Sequence, residues 1–192
     1  ELTTPHLSIL TPSRRLVCGR PVECPPFDTH PLILPSAVEL IGKNVTHGLG
    51  AGMNPEIGKK VAGYRAAELI TSGMKVGIGT GSTVFYFIEK LIERVNQGLQ
   101  IEAAFSSERS KELAIAGGIF PLSEGEFAEL DITVDGADEI DPGKNMIKGG
   151  GGALLREKIL ASSSREMVVI VDENKCVEKL GQFKLPVEIC PF

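Results

Sequence analysis

At 192 residues with a formal charge of −5 and a pI near 5.3, the chain is long enough for one domain with its own core and an extension. The acidic balance, with no basic run, argues against a nucleic-acid surface. No apolar stretch reaches the ~20 residues that span a bilayer, since the best candidate, LILPSAVELIG, is broken by Pro35 and Glu39; the chain reads as soluble.

Residues 1–52 differ from the rest. Seven of the twelve prolines lie in the first 35 residues, and hydrophobic periodicity is poor. Ser, Thr and Pro together with Arg14, Arg15 and Arg20 suggest a leader or transit peptide, but Glu1, Glu23, Asp28 and Glu39 spoil its acid-poor signature. The segment is read as an extension, a leader or a mis-joined piece. The first methionine, Met53, opens the regular pattern, and 53–192 is read as the domain.

From there the elements alternate. PEIGKKVAGYRAAELI carries proline near a helix start and apolar spacing of three to four; SGMKVGIG breaks it and begins a strand. STVFYFIEKLIERVN reads as an amphipathic helix with Ser82 or Thr83 as N-cap. LQIEAAF is a strand, SERSKELAIA a helix, GGIFPL a short strand, LDITVDG a strand, GGALLREKILASS a helix and EMVVIVDEN a buried strand. KLPVEICPF reads as one more strand. Such alternation implies an α/β fold, a parallel sheet covered on both faces, with ligands at the carboxyl ends of its strands.

The histidines are His6, His30 and His47, so from Met53 onward a histidine base, a Ser-His-Asp triad or a His-ligated zinc is excluded. Proton transfer falls to carboxylates, lysines, cysteines or tyrosines. The cysteines, Cys18, Cys24, Cys176 and Cys190, form no C-x-x-C pair and read as free thiols.

After KVGIG come Thr80, Gly81, Ser82 and Thr83. Ser82 occupies the last glycine position of a dinucleotide fingerprint, and no lysine precedes it as in a P-loop. What remains is a tight turn offering hydroxyls and amides at a helix N-terminus, suited to phosphate or merely capping the helix. After DITV, four carboxylates in seven residues (Asp135, Asp138, Glu139, Asp141) lack EF-hand spacing. By composition they are a solvated turn; at the end of a central strand, Asp135 and Asp138 become candidates for hydroxyl contacts or proton sharing. In NMIKGGGGALLREK the glycines let backbone pass close to a ligand. A helix starting near Gly152 would put Glu157 in its second turn on the apolar face, where desolvation raises a carboxyl toward the range of a general base. Lys175, beyond MVVIV, is equally a surface cation or a ligand contact.

GIGTGST, VDGADEID, MIKGGGGALLREK, VDENK and LPVEI, in that order and spacing, resemble type A ribose-5-phosphate isomerase across about 56–190. The resemblance implies a Rossmann-like αβα domain, no metal and no cofactor, and interconversion of ribose 5-phosphate and ribulose 5-phosphate through an enediol. It implies Glu157 as general base between C2 and C1, and Asp135 and Asp138 as acids at the sugar end, followed by Gly136 and Ala137 on the substrate. Lys148 with the amides of Gly149, Gly150 and Gly151 would hold the enediolate. Thr80–Thr83 would bind phosphate, with Lys175 and Lys59 supplying positive charge. It further implies a cytoplasmic homo-oligomer, a dimer or tetramer, or a plastid protein if 1–52 is a transit peptide. The family continues past the equivalent of Phe192 into a small α+β lid domain, so the chain is expected to be truncated there. The rival readings are an inactive fragment, a sugar-phosphate-sensing regulatory domain, an amino-sugar-phosphate deaminase and a CoA transferase. Retention of Glu157, Asp135, Asp138 and Lys148 favours the enzyme over a sensor, and the absent histidine disfavours the deaminase.

Overall fold

The computed structural model of the chain describes residues 54–123 and 129–190; the extension read over 1–52, and Met53, lie outside them. Helix α1 (Pro55–Glu68) starts where the sequence says, with Pro55 in its first turn and the Asn54 side chain accepting from the amide of Glu56 at 3.0 Å. Strand β1 (Lys75–Ile78) leads into α2 (Ser82–Asn96), which buries Val84, Phe87, Ile88 and Leu91 on one face. Small residues on α1 (Ala62, Gly63, Ala66, Ala67) let the two helices meet at backbone distance. Arg94 of α2 donates to the carbonyls of Ala67 and Ile70, tying the end of α1 to α2.

Strand β2 (Glu102–Phe105), helix α3 (Glu108–Ala116) and the two-residue strand β3 (Phe120–Pro121) follow. Then come β4 (Leu130–Asp135), a hairpin of β5 (Glu139–Ile140) and β6 (Met146–Ile147), helix α4 (Leu154–Ser162) and β7 (Ser164–Val169). The main sheet runs β3-β2-β1-β4-β7, every pair parallel. Val76, Ile78, Val134, Val168 and Ile170 fill its centre against the helices. The apolar runs are continuous because helices cover both faces. The expected Rossmann-like α/β sheet is therefore present. From β1 the chain builds outward in one direction through β2 and β3, then in the other through β4 and β7. That reversal opens a crevice between the carboxyl ends of β1 and β4.

Three expectations are corrected. Over its described residues KLPVEICPF is not a strand: residues 184–190 pair with no sheet, Pro186 has no amide to give, and Leu185, Val187 and Ile189 are exposed; Pro191 and Phe192 lie outside the described residues. The N-cap of α2 is Gly81, at φ 133°, so neither Ser82 nor Thr83 caps the helix with its side chain. The four-carboxylate run is not a plain solvated turn but leads through the β5–β6 hairpin. There Asp141 holds the amide and side chain of Asn145, and buried Glu139 accepts from the amides of Gly181 and Phe183. Among the described residues no helix is long and apolar enough to cross a membrane.

Candidate active site

A cleft of about 370 Å³ lies at the sheet reversal, walled by the α1 start, the turn after β1, the β4–β5 loop, the glycine loop before α4 and the turn after β7. Its floor is set by Asp135, the last residue of β4 and fully buried. One carboxylate oxygen accepts from the amides of Thr80 (3.1 Å) and Gly136 (2.7 Å); the other accepts from Lys148 Nζ at 2.9 Å. This close approach needs a glycine at 79, where a Cβ would stand 2.1 Å from Asp135 Oδ1. With its oxygens so engaged, Asp135 lies beneath the cleft rather than on its wall, and what it does geometrically is fix Lys148.

Lys148 also donates to the carbonyl of Gly136 at 2.6 Å and lies 3.2 Å from Glu157 Oε2. Burial opposes its charge, but the carboxylates of Asp135 and Glu157 outweigh burial and hold its pKa above the ordinary lysine value. Glu157 sits in the first turn of α4, not the second, because the helix begins at Leu154. It is 4% exposed. Its Oε2 forms an ion pair with Lys148 but accepts no hydrogen bond, since the ammonium is aligned on Asp135 and Gly136. Burial first, and the charge of Asp135 second, push its pKa up to about 6, against the opposing pull of Lys148. A carboxylate tuned this way is ionised at neutral pH and still basic enough to take a carbon-bound proton.

Gly149 adopts φ 106°, a conformation that L side chains avoid. Gly150 donates its amide to Asp138 Oδ2 at 2.8 Å, and a Cβ there would meet Asp138 Oδ1 at 2.6 Å. Gly149, Gly151, Asp138, Gly136 and Ala137 line the cleft, while the Gly150 amide is turned to Asp138.

At the other end stand Thr80, Gly81, Ser82 and Thr83, the last two opening α2 with hydroxyls free of capping. The Thr80 hydroxyl is 2.6 Å from that of Ser106, which fixes the turn. Lys59 reaches the cleft while paired with Glu56 at 2.7 Å, and Lys175 reaches it with its ammonium 5.7 Å from the Phe183 ring centre. Every residue expected at the site lines this cleft except Asp135 and Gly150, which brace it from behind. The sequence reading missed Asp172 and Asn174. Asp172 is buried, caps the short turn Glu173–Lys175 and lines the cleft. Its position directly after the apolar strand was the available signal, by the rule that singled out Lys175.

Residues 103–192 match the family model described as ribose 5-phosphate isomerase A (phosphoriboisomerase A). The ribose-5-phosphate isomerase A of Protochlamydia amoebophila is 54% identical over 134 residues, which are 70% of this chain and 58% of that protein. That of Listeria monocytogenes is 54% identical over 134 residues, 70% of this chain and 60% of its own length. The chain thus spans about 60% of the length of these curated relatives. Among solved structures, a D-ribose-5-phosphate isomerase in complex with phospho-erythronic acid is similar at TM-score 0.65 and 42% identity, over 68% of this chain and 58% of that one. Ribose 5 phosphate isomerase A from Neisseria gonorrhoeae is similar at TM-score 0.64 and 42% identity, over 68% and 57%. Sequence motifs, matched residues and sheet agree, and the chain belongs to the ribose 5-phosphate isomerase A family.

Proposed function

We propose that the chain carries the catalytic cleft of an aldose–ketose isomerase that interconverts D-ribose 5-phosphate and D-ribulose 5-phosphate. The observation that supports this most is the buried trio Glu157–Lys148–Asp135 at one end of a cleft whose other end is a hydroxyl-bearing helix N-terminus. The phosphate sits at Ser82 and Thr83, where amides and the helix dipole favour an anion, with Lys59 and Lys175 beside it. That end fixes the sugar so that C2 of its open chain faces Glu157. The ionised carboxylate removes the C2 proton; the electrons move into the carbonyl, and negative charge develops on O1. Lys148 and the loop amides meet that charge, the kind of preorganised stabilisation that often dominates such steps. Asp138, on the wall, exchanges the hydroxyl proton between O1 and O2, and Glu157 returns its proton to C1. Nothing is oxidised overall. The bound phospho-erythronic acid of one structural relative is a four-carbon sugar-acid phosphate, in keeping with this substrate class.

In its wider form the proposal makes 53–192 the Rossmann-like domain of a cytoplasmic homo-oligomer in the non-oxidative pentose phosphate pathway. The test is exchange of the C2 proton of ribose 5-phosphate in deuterated water. The chain should incorporate deuterium, and Glu157→Gln should slow incorporation by at least about 100-fold, the low end for a positioned base, while affinity for ribose 5-phosphate holds. Turnover by Glu157→Gln at the wild-type rate sinks the base; binding without any exchange by the wild type favours a sugar-phosphate sensor.

A further inference from the structure

The helix that carries Glu157 has no cap of its own. Its N-cap residue is Ala153, which offers no acceptor, and a glycine loop precedes it. The first-turn amide of Leu155 donates instead to Glu188 Oε2 at 2.7 Å, from a residue 33 positions downstream. Glu188 lies on the unpaired segment 181–188, which touches the site loop at successive points. At its start, the amides of Gly181 and Phe183 donate to the two oxygens of buried Glu139 on β5. Next, Phe183 Cζ lies 2.8 Å from where a Gly150 Cβ would stand, its ring beside Lys175. Then Pro186 Cβ lies 3.2 Å from the corresponding point at Gly149. Glu139, Phe183, Pro186 and Glu188 do not line the cleft.

We propose that residues 181–188 are a strap over the back of the glycine loop, anchored by Glu139, and that Glu188, as the cap of α4, is a positioning residue for Glu157. The physical need is plain. Four successive glycines lose more backbone freedom on ordering than any other residues, and an uncapped helix start frays within its first turn. Glu157 lies in that turn. A carboxylate on the Leu155 amide satisfies a free donor and complements the helix dipole. Phe183 and Pro186 fill the space that the missing side chains of Gly150 and Gly149 leave open. The catalytic consequence rests on the function proposed above; the bracing itself does not.

The test uses the whole chain with Glu188→Ala and Glu188→Gln, which keeps an acceptor. Amide hydrogen exchange over 149–158 should accelerate by about tenfold or more in Glu188→Ala, while amides of α1 and α2 are unchanged, as for local opening. Glu188→Gln should recover most of the protection. The Glu157 carboxyl, followed by its carbon chemical shift, should titrate lower in Glu188→Ala as water reaches it, a change that general loss of stability does not produce. Unchanged exchange over 149–158, or equal acceleration in α1 and α2, overturns the strap. Turnover of ribose 5-phosphate on the same samples should fall in kcat with KM held. A wild type that neither turns over nor exchanges the sugar counts against the proposed function, and the amide comparison still decides the strap.

Discussion

A glutamate that is 4% exposed, with an oxygen that accepts no hydrogen bond, is held at a cost to the fold whenever it is ionised. In the folded chain Glu157 has a pKa of about 6, above the 4.5 of an ordinary glutamate. The proton therefore binds the folded state more tightly than the unfolded one. The stability this adds is fully present below about pH 4.5 and is lost as pH rises through 6. Glu157→Gln, a neutral isostere, escapes that loss. Its melting temperature relative to wild type should climb between pH 4.5 and pH 7, and a difference that stays constant across this range would show that the site does not disfavour the charge. Lys148 does not blur the comparison, because its pKa stands above the ordinary lysine value throughout that window. The residue thus links the proposed mechanism to stability: the same desolvation that would suit it to the role of base makes the fold less stable at neutral pH.

Helices α1 and α2 pack at a distance set by Gly63, where an added Cβ would stand 2.6 Å from the Phe87 amide nitrogen and 3.0 Å from the Thr83 carbonyl. These neighbours are backbone and cannot swing away. Gly63→Ala gains up to about 1 kcal/mol of helix propensity, but overpacking costs about 1–3 kcal/mol or more, and against backbone the second wins. The urea midpoint should fall with an unchanged slope; a midpoint at or above wild type would mean that the helices slide apart freely. The elements themselves were largely legible, because apolar periodicity and glycine or proline punctuation are local. The extent of α2 matched STVFYFIEKLIERVN, although its cap fell at Gly81 rather than at Ser82 or Thr83, and the parallel sheet followed from alternation. What sequence could not supply was pairing. LPVEI has the alternation of a strand but no neighbouring strand to join among the described residues; its Glu188 carboxylate serves α4 instead, while the amides of Gly181 and Phe183 just upstream hold the hairpin. Likewise, the acid run was legible as a cluster, yet its division of labour was not. Asp135 holds Lys148, Asp138 faces the cleft, Glu139 anchors the strap and Asp141 closes the hairpin; each depends on partners brought together by the fold.

At the scale of the whole molecule, the cleft belongs to no single element. Lys59 comes from α1, Ser82 and Thr83 from the start of α2, Asp138 from the loop after β4, Glu157 from α4 and Lys175 from the turn after β7. A ligand touching all of them binds only when the sheet and its loops are assembled, so its binding energy adds to global stability. At about 100 times the dissociation constant this amounts to about 2.7 kcal/mol, or roughly 5–10 °C in melting temperature for a domain of this size. Ribose 5-phosphate should produce a shift of that order, and ribose at the same concentration far less, because it leaves the hydroxyl turn and the lysines unused. Lys175→Ala should reduce the ribose 5-phosphate shift, and added salt should reduce it in wild type by screening the exposed end of the phosphate contact. Equal shifts from ribose and ribose 5-phosphate would remove the phosphate from Ser82 and Thr83. Because the protein carries a net charge of −5, a dianion gains nothing from the overall field. Attraction at this cleft has to come from the local cations and amides, which is why losing one lysine should register in a measurement made on the whole fold.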